Sequence, residues 1–295
     1  MSAPKIRRGA PDDRRGAPDD RRGAPRDRLS APRDVLALRD PLATLAAAAG
    51  RAILEVYGGP FEVRFKDDAS PVTEADVRAQ AILRAGLADL TPGVPLLAEE
   101  GVATPYEERK GWARWWCVDP LDGTRDFVAR SGEFSVNVGL VVAGRPVLGL
   151  IHAPVDDISY FGAPGRGAWR REGEGPWRPV RVAAPVGRHL RVFVSRQHAG
   201  PRTLAWLEGL ADAWDVEVLR RGSAMKICLV ADGSAHLYPR LGPTSEWDTA
   251  AAEAILVGAG GALRRAGDGK PLAYNKRELR NPDFFAAWGP EAPHP

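Results

Sequence analysis

The run "WWCVDPLDGTRDF", residues 115–127, constrains this chain more than any other stretch. Its apolar start reads as a buried strand, Pro120 and Gly123 are turn residues, and a helix begins at Thr124. Strand, turn and helix account for the proline and the glycine. They do not account for Asp119, Asp122 and Asp126 crowding one short segment, where like charges repel.

Further acids sit at element ends: Glu99-Glu100 closes "VPLLAEE", and Asp248 lies at the start of the late helix "EWDTAAAEAILVGAGG". Singly, each has an ordinary reading, as a helix cap or a solvated loop. Together, acids at the ends of several segments point to a divalent-cation site, because hard ions such as Mg²⁺ take oxygen ligands. A turn of the form Asp-Pro-x-Asp offers two carboxylates and the intervening Leu121 carbonyl. Gly123-Thr124 adds backbone N–H groups at a helix start, which suit an anion. Metals and a phosphate would share one turn, the arrangement used for in-line phosphoryl displacement.

Competing fingerprints fail. Phosphatases that form an aspartyl-phosphate carry Asp-x-Asp-Gly-Thr after a strand, but here the first acid stands three positions before the second and Pro120 takes the nucleophile's place. Walker-type loops and Gly-x-Gly-x-x-Gly are absent from the chain.

Elsewhere, Asp40-Pro41 reads as an N-cap with proline at the first helical position, opening a helix that stops at Gly58-Gly59. Thr73 and Asp76 have the form of a capping box before a helix striped by Leu83, Leu87 and Leu90. "FSVNVGLVVAG", "RPVLGLIHAPV" and "DISYFGA" read as strands, with a hairpin turn at Gly144-Arg145. A Gly/Arg-rich stretch at 162–178 is expected to separate this half from an alternating strand and helix pattern starting at "LRVFVSRQHA".

The combination resembles the inositol monophosphatase superfamily of Mg²⁺-dependent, lithium-sensitive phosphatases. The matching residues are Asp76, "EE" at 99–100, "DPLDGT" at 119–124, "WD" at 247–248 and "GG" at 260–261. Within it, "KDDASPVTEAD" and "GSAMKICLVADGSAHLYPRLGPTSEWDTAA" look like the bacterial 3′(2′),5′-bisphosphate nucleotidases. The resemblance covers roughly residues 38–285. It implies a layered α-β-α-β-α sandwich, with an α+β half at 35–184, an α/β half at 185–295 and the metal site at their junction. It implies two or three Mg²⁺ ions held by Glu99, Asp119, the Leu121 carbonyl, Asp122 and Asp248, with Glu99 counted also in the catalytic set. Asp76 and Thr124 would orient and deprotonate the attacking water, and the Gly123 and Thr124 amides would hold the phosphate. Ser223, Lys226 and Arg240 fall where related eukaryotic enzymes bind the nucleotide, and His198 is a base-contact candidate. The implied reaction is hydrolysis of the 3′-phosphate of 3′-phosphoadenosine 5′-phosphate, and of its phosphosulfate form, as part of sulfur assimilation. The alternatives are an inositol or sugar monophosphatase and a non-catalytic nucleotide sensor.

Charge excludes one further class. Residues 1–34 carry "RRGAPDD" at 7–13 and 14–20 and "RRGAPRD" at 21–27, and hold ten of the chain's 41 Lys and Arg but six of its 38 Asp and Glu, leaving 31 basic and 32 acidic residues in the body. The +3 net charge therefore belongs to the tail, and the body shows no bias toward nucleic acid. Each heptad carries Pro and Gly with almost nothing apolar to bury, so the tail is expected to be disordered. Two cysteines among apolar neighbours, Cys117 and Cys228, read as core residues rather than ligands or a disulfide. With no secretory leader or apolar span in the sequence, the expected location is the cytoplasm, with peripheral contact at the inner membrane face as a variant; oligomeric state is left open.

Overall fold

A computed structural model describes residues 32–66, 70–101, 104–196 and 199–294. The repeat tail up to residue 31 and His198 lie outside the described residues. Helices α1 (Pro32–Ala37) and α2 (Arg39–Gly58) lead to a hairpin of β1 (Val63–Phe65) and β2 (Pro71–Thr73), then to α3 (Glu74–Leu90). Next come β3 (Leu96–Ala98), α4 (Tyr106–Arg109), β4 (Arg114–Asp122), α5 (Thr124–Val128), β5 (Ser135–Val142), β6 (Arg145–Ala153), β7 (Ile158–Ala163), β8 (Gly167–Glu172) and β9 (Arg178–Val180). The chain continues with β10 (His189–Ser195), α6 (Pro201–Glu208), β11 (Asp215–Arg221), α7 (Met225–Ala231), β12 (Leu237–Arg240), α8 (Glu246–Gly258), β13 (Ala262–Arg265) and β14 (Phe284–Ala287).

β3 to β9 form one seven-stranded sheet in sequence order, and β11-β10-β12-β14-β13 form a five-stranded sheet. Alternation along β4 shows how the layers are made. Trp116 and Val118 pack with Leu42, Ala46, Ile53 and Leu83 of α2 and α3. Trp115 and Cys117 face the other way, into a core shared with α7, α8 and the five-stranded sheet. Leu207 and the outer face of that sheet make a third cluster. The order is thus helices, sheet, helices, sheet, helix, as the resemblance implies. Cys117 and Cys228 are buried free thiols. Among the described residues no helix is long and apolar enough to cross a membrane.

The middle helix is seated by a row of glycines. Gly139, Gly149 and Gly162 are cross-strand partners on β5, β6 and β7. A Cβ on Gly149 would overlap the Ala251 carbonyl, and one on Gly139 would stand 2.9 Å from the Ala251 nitrogen. The α8 backbone therefore lies directly on the sheet, an approach only glycine permits.

Four expectations are corrected. Asp40 is not an N-cap: α2 starts at Arg39 behind Leu38, Pro41 is tolerated in its first turn, and the Asp40 carboxylate accepts from Trp177 Nε1 at 2.6 Å. The hairpin turn is Ala143-Gly144, both with positive φ (49° and 73°), because a two-residue turn of that twist matches the strands. The Gly/Arg-rich stretch does not separate the halves; it supplies β8 and β9 to the first sheet, its glycines serving the turns. Lastly, "DPLD" is not a turn. β4 runs through it to Asp122, with the register against β5 slipping by one residue between Asp119 and Asp122.

Candidate active site

That slip is a β-bulge, and it explains the spacing of the acids. Residues three apart on a regular strand face opposite sides; one extra residue restores them to the same side. Asp119 pairs with Asn137 and Asp122 with Ser135, two positions apart on β5. Leu121 drops into the apolar cluster under α2 and α3, while Asp119 and Asp122 both line a cavity of ≈ 210 Å³. Pro120 has no N–H to lose to the ladder, and Gly123, at φ 92°, turns the chain into α5.

Two capping boxes deliver the other acids. "TEAD" and "SEWD" place Asp76 and Asp248 at the third position of α3 and α8. Asp76 Oδ2 accepts from Thr73 N at 2.7 Å and Thr73 Oγ1 at 2.8 Å, and Asp248 Oδ2 accepts from Ser245 N at 2.8 Å. In each case one oxygen holds the helix start and the other is left for the site. Thr124 Oγ1 lies 3.2 Å from both Asp76 Oδ1 and the Leu121 carbonyl.

Glu99, Asp119 and Asp248 bring ligand oxygens within 4.8 Å of one another. Asp119 Oδ1 accepts from Leu121 N at 3.0 Å, but its Oδ2 is buried with no hydrogen-bond partner. An unpartnered buried carboxylate oxygen costs free energy unless something positive meets it. Burial, then Glu99, Asp122 and Asp248, drive the Asp119 carboxyl far above the usual range. Burial and Asp122 likewise push Asp248 up to about 8, and burial raises Asp76, Glu99 and Asp122. This donor set, all oxygen and overcharged, fits hard divalent cations.

Cations flank the acids. Lys226 is buried on α7, donates to the Ser223 carbonyl at 2.5 Å, and burial lowers it to about 8 despite the nearby Asp122. Arg240 lines the same cavity and is tied to the Pro243 carbonyl at 2.8 Å. Gly123, Thr124 and Ser223 also line it, so every described candidate is brought together, with Asp76 one layer behind.

Three further features lie beside the candidate residues. Lys66 Nζ bonds Glu99 at 2.8 Å and Glu100 at 2.5 Å, and these acids raise it despite burial. Its presence in "KDDASPVTEAD" was the available signal. Glu133 of "SGEF" is not free for ligand: Arg196 donates to it at 2.6 and 2.9 Å and the Gly222 amide at 2.8 Å, tying the first sheet's loops to the second half. Asp126, the third acid of the opening run, lies against Gly222, where a Cβ would stand 2.6 Å from its Oδ2.

Residues 36–288 match the inositol monophosphatase family. The chain belongs to that family. Among its relatives is the 3′(2′),5′-bisphosphate nucleotidase CysQ of Escherichia coli K12, 44% identical over 249 residues that cover 83% of this chain and 97% of the relative. CysQ of Buchnera aphidicola is 36% identical over 230 residues, covering 76% and 83%. The crystal structure of CysQ from Bacteroides thetaiotaomicron, described as a bacterial member of the inositol monophosphatase family, superposes with a TM-score of 0.75 at 40% identity, covering 85% of this chain and 97% of that one.

Proposed function

We propose that the chain is a metal-dependent 3′(2′),5′-bisphosphate nucleotidase that removes the 3′-phosphate of 3′-phosphoadenosine 5′-phosphate, with Mg²⁺ as its ion. The observation carrying this reading is a single cavity with a cluster of acids and, apart from them in the chain, Lys226 and Arg240. The acids suit metals and the reacting phosphate. A second phosphate needs cations of its own, which an inositol or sugar monophosphate would not. The name of the E. coli relative supports the same substrate class.

Glu99, Asp119, the Leu121 carbonyl, Asp122 and Asp248 would hold the ions, which when bound supply charge neutralisation and an acidified water. Lys66 holds Glu99 and Glu100 in place from behind. Thr124 Oγ1 donates to Asp76 Oδ1 and can accept from the attacking water with a lone pair. The water's proton then passes to Thr124 as Thr124 gives its own to Asp76, whose raised affinity for a proton suits it as the terminal acceptor. The Gly123 and Thr124 amides orient the phosphoryl group, and Ser223, Lys226 and Arg240 grip the nucleotide.

The test is phosphate release from the bisphosphate nucleotide, inositol 1-phosphate and fructose 1,6-bisphosphate, with and without Mg²⁺. Arg240→Ala should raise KM for the bisphosphate nucleotide by about tenfold to a hundredfold, the worth of a charge-assisted pair, with kcat little changed. On 3′-AMP, which lacks the 5′-phosphate, variant and wild type should behave alike. Equal impairment on both substrates would overturn the assignment.

A further inference from the structure

A second cavity, of ≈ 620 Å³, shares no lining residue with the first. α7 stands between them: Lys226 and Ile227 face the acids' cavity, Met225 and Leu229 the second. Arg170 of β8 and Arg178 of β9 are direct cross-strand partners, in register with Tyr160 of β7, and Arg221 at the end of β11 lines the same space. Like charges directly opposed on adjacent strands destabilise a sheet unless a counter-charge meets them.

Three acids match the three arginines in number, but only two of them are ion-paired to an arginine. Arg170 pairs with Glu172 at 2.6 Å and Arg221 with Asp156 at 2.6 Å, all four partly exposed. Among the described residues the Arg178 guanidinium has no ion pair or hydrogen bond. The remaining acid, Asp232, is engaged by the Tyr160 hydroxyl at 2.5 Å. Exposed pairs contribute little, so Arg170 and Arg221 can exchange partners at small cost, and arginine forks match phosphate oxygens. Ile158 and Val180 add apolar wall to Met225 and Leu229, and the volume suits a ligand larger than a bare oxyanion.

We propose that this cavity binds a phosphate monoester of mononucleotide size, the arginines holding the phosphate and the apolar wall the flat base. The site is independent of the catalytic one and of the reaction assigned to it. The test is calorimetric titration of AMP into full-length protein in EDTA, with Arg240→Ala as a control that removes the first cavity's phosphate grip and should leave the binding unchanged. One molecule of AMP per chain should bind, and Arg178→Glu and Arg178→Ala, both at an exposed position, should weaken it at least tenfold. With Mg²⁺, both variants should keep the wild-type kcat and KM for phosphate release. No binding, binding unchanged by Arg178→Glu, or inorganic phosphate or ribose 5-phosphate binding as tightly as AMP would each overturn the proposal. The binding readout stands whatever substrate the first cavity takes.

Discussion

Asp119 carries the clearest conflict at the scale of one residue. It is fully buried, one oxygen has no partner, and four neighbouring carboxylates oppose its charge. A site built this way trades stability for a ligand. Asp119→Asn should therefore act in opposite directions on two measurements. Turnover should fall by at least about a hundredfold, since a ligand and transition-state charge stabilisation go together. The melting temperature in EDTA should rise, because the amide keeps an acceptor for Leu121 N while removing repulsion. Activity within tenfold of wild type at saturating Mg²⁺ would remove Asp119 from the metal site.

Among the elements, α8 decides the geometry, because Asp248 sits in its first turn while its middle rests on the glycine row. A methyl at Gly149 would push the Ala251 backbone away from the sheet. Overpacking of a tight core costs about 1–3 kcal/mol, and here the obstacle is backbone, which cannot swing aside. Gly149→Ala should lower the unfolding free energy measured in urea by that amount or more and raise the Mg²⁺ concentration needed for half-maximal activity. Wild-type stability would show that α8 can slide without cost.

For the whole molecule, stability should depend on pH in a direction set by the acid cluster. Asp76, Glu99, Asp119, Asp122 and Asp248 all have folded pKa values raised above their ordinary ones. The folded chain then binds more protons than the unfolded chain, so stability is lost as pH rises from about 4 toward the value of about 8 held by Asp248. His152 works the other way: burial lowers it to about 4, so its contribution is lost as pH falls from 6.5. Metal-free protein should accordingly melt at a lower temperature at pH 8 than at pH 6.5, and Mg²⁺ should reverse the order; a flat profile in EDTA would refute the repulsion argument. Removal of residues 1–31 should leave the melting temperature and kcat/KM unchanged, since that composition has little apolar surface to bury. A KM that rises on deletion and recovers at high salt would show the tail steering substrate.

What could be read from the sequence obeys short-range rules. The capping boxes at Thr73–Asp76 and Ser245–Asp248 and the acids around Pro120 are set by residues within a few positions of one another. Glu99, Asp119, Asp122, Thr124 and Asp248 were therefore legible together as a candidate site, and they line one cavity. Other features were not, because their causes lie between distant residues. The bulge that brings Asp119 and Asp122 to one side exists only against β5. Lys66 meets Glu99 across 33 positions, and Glu133 meets Gly222 across 89. The isolated glycines at 139, 149 and 162 become a helix seat only when three strands align and α8 descends on them. Local propensity placed the acids at the ends of their elements; long-range packing, which no local pattern encodes, decided their distances.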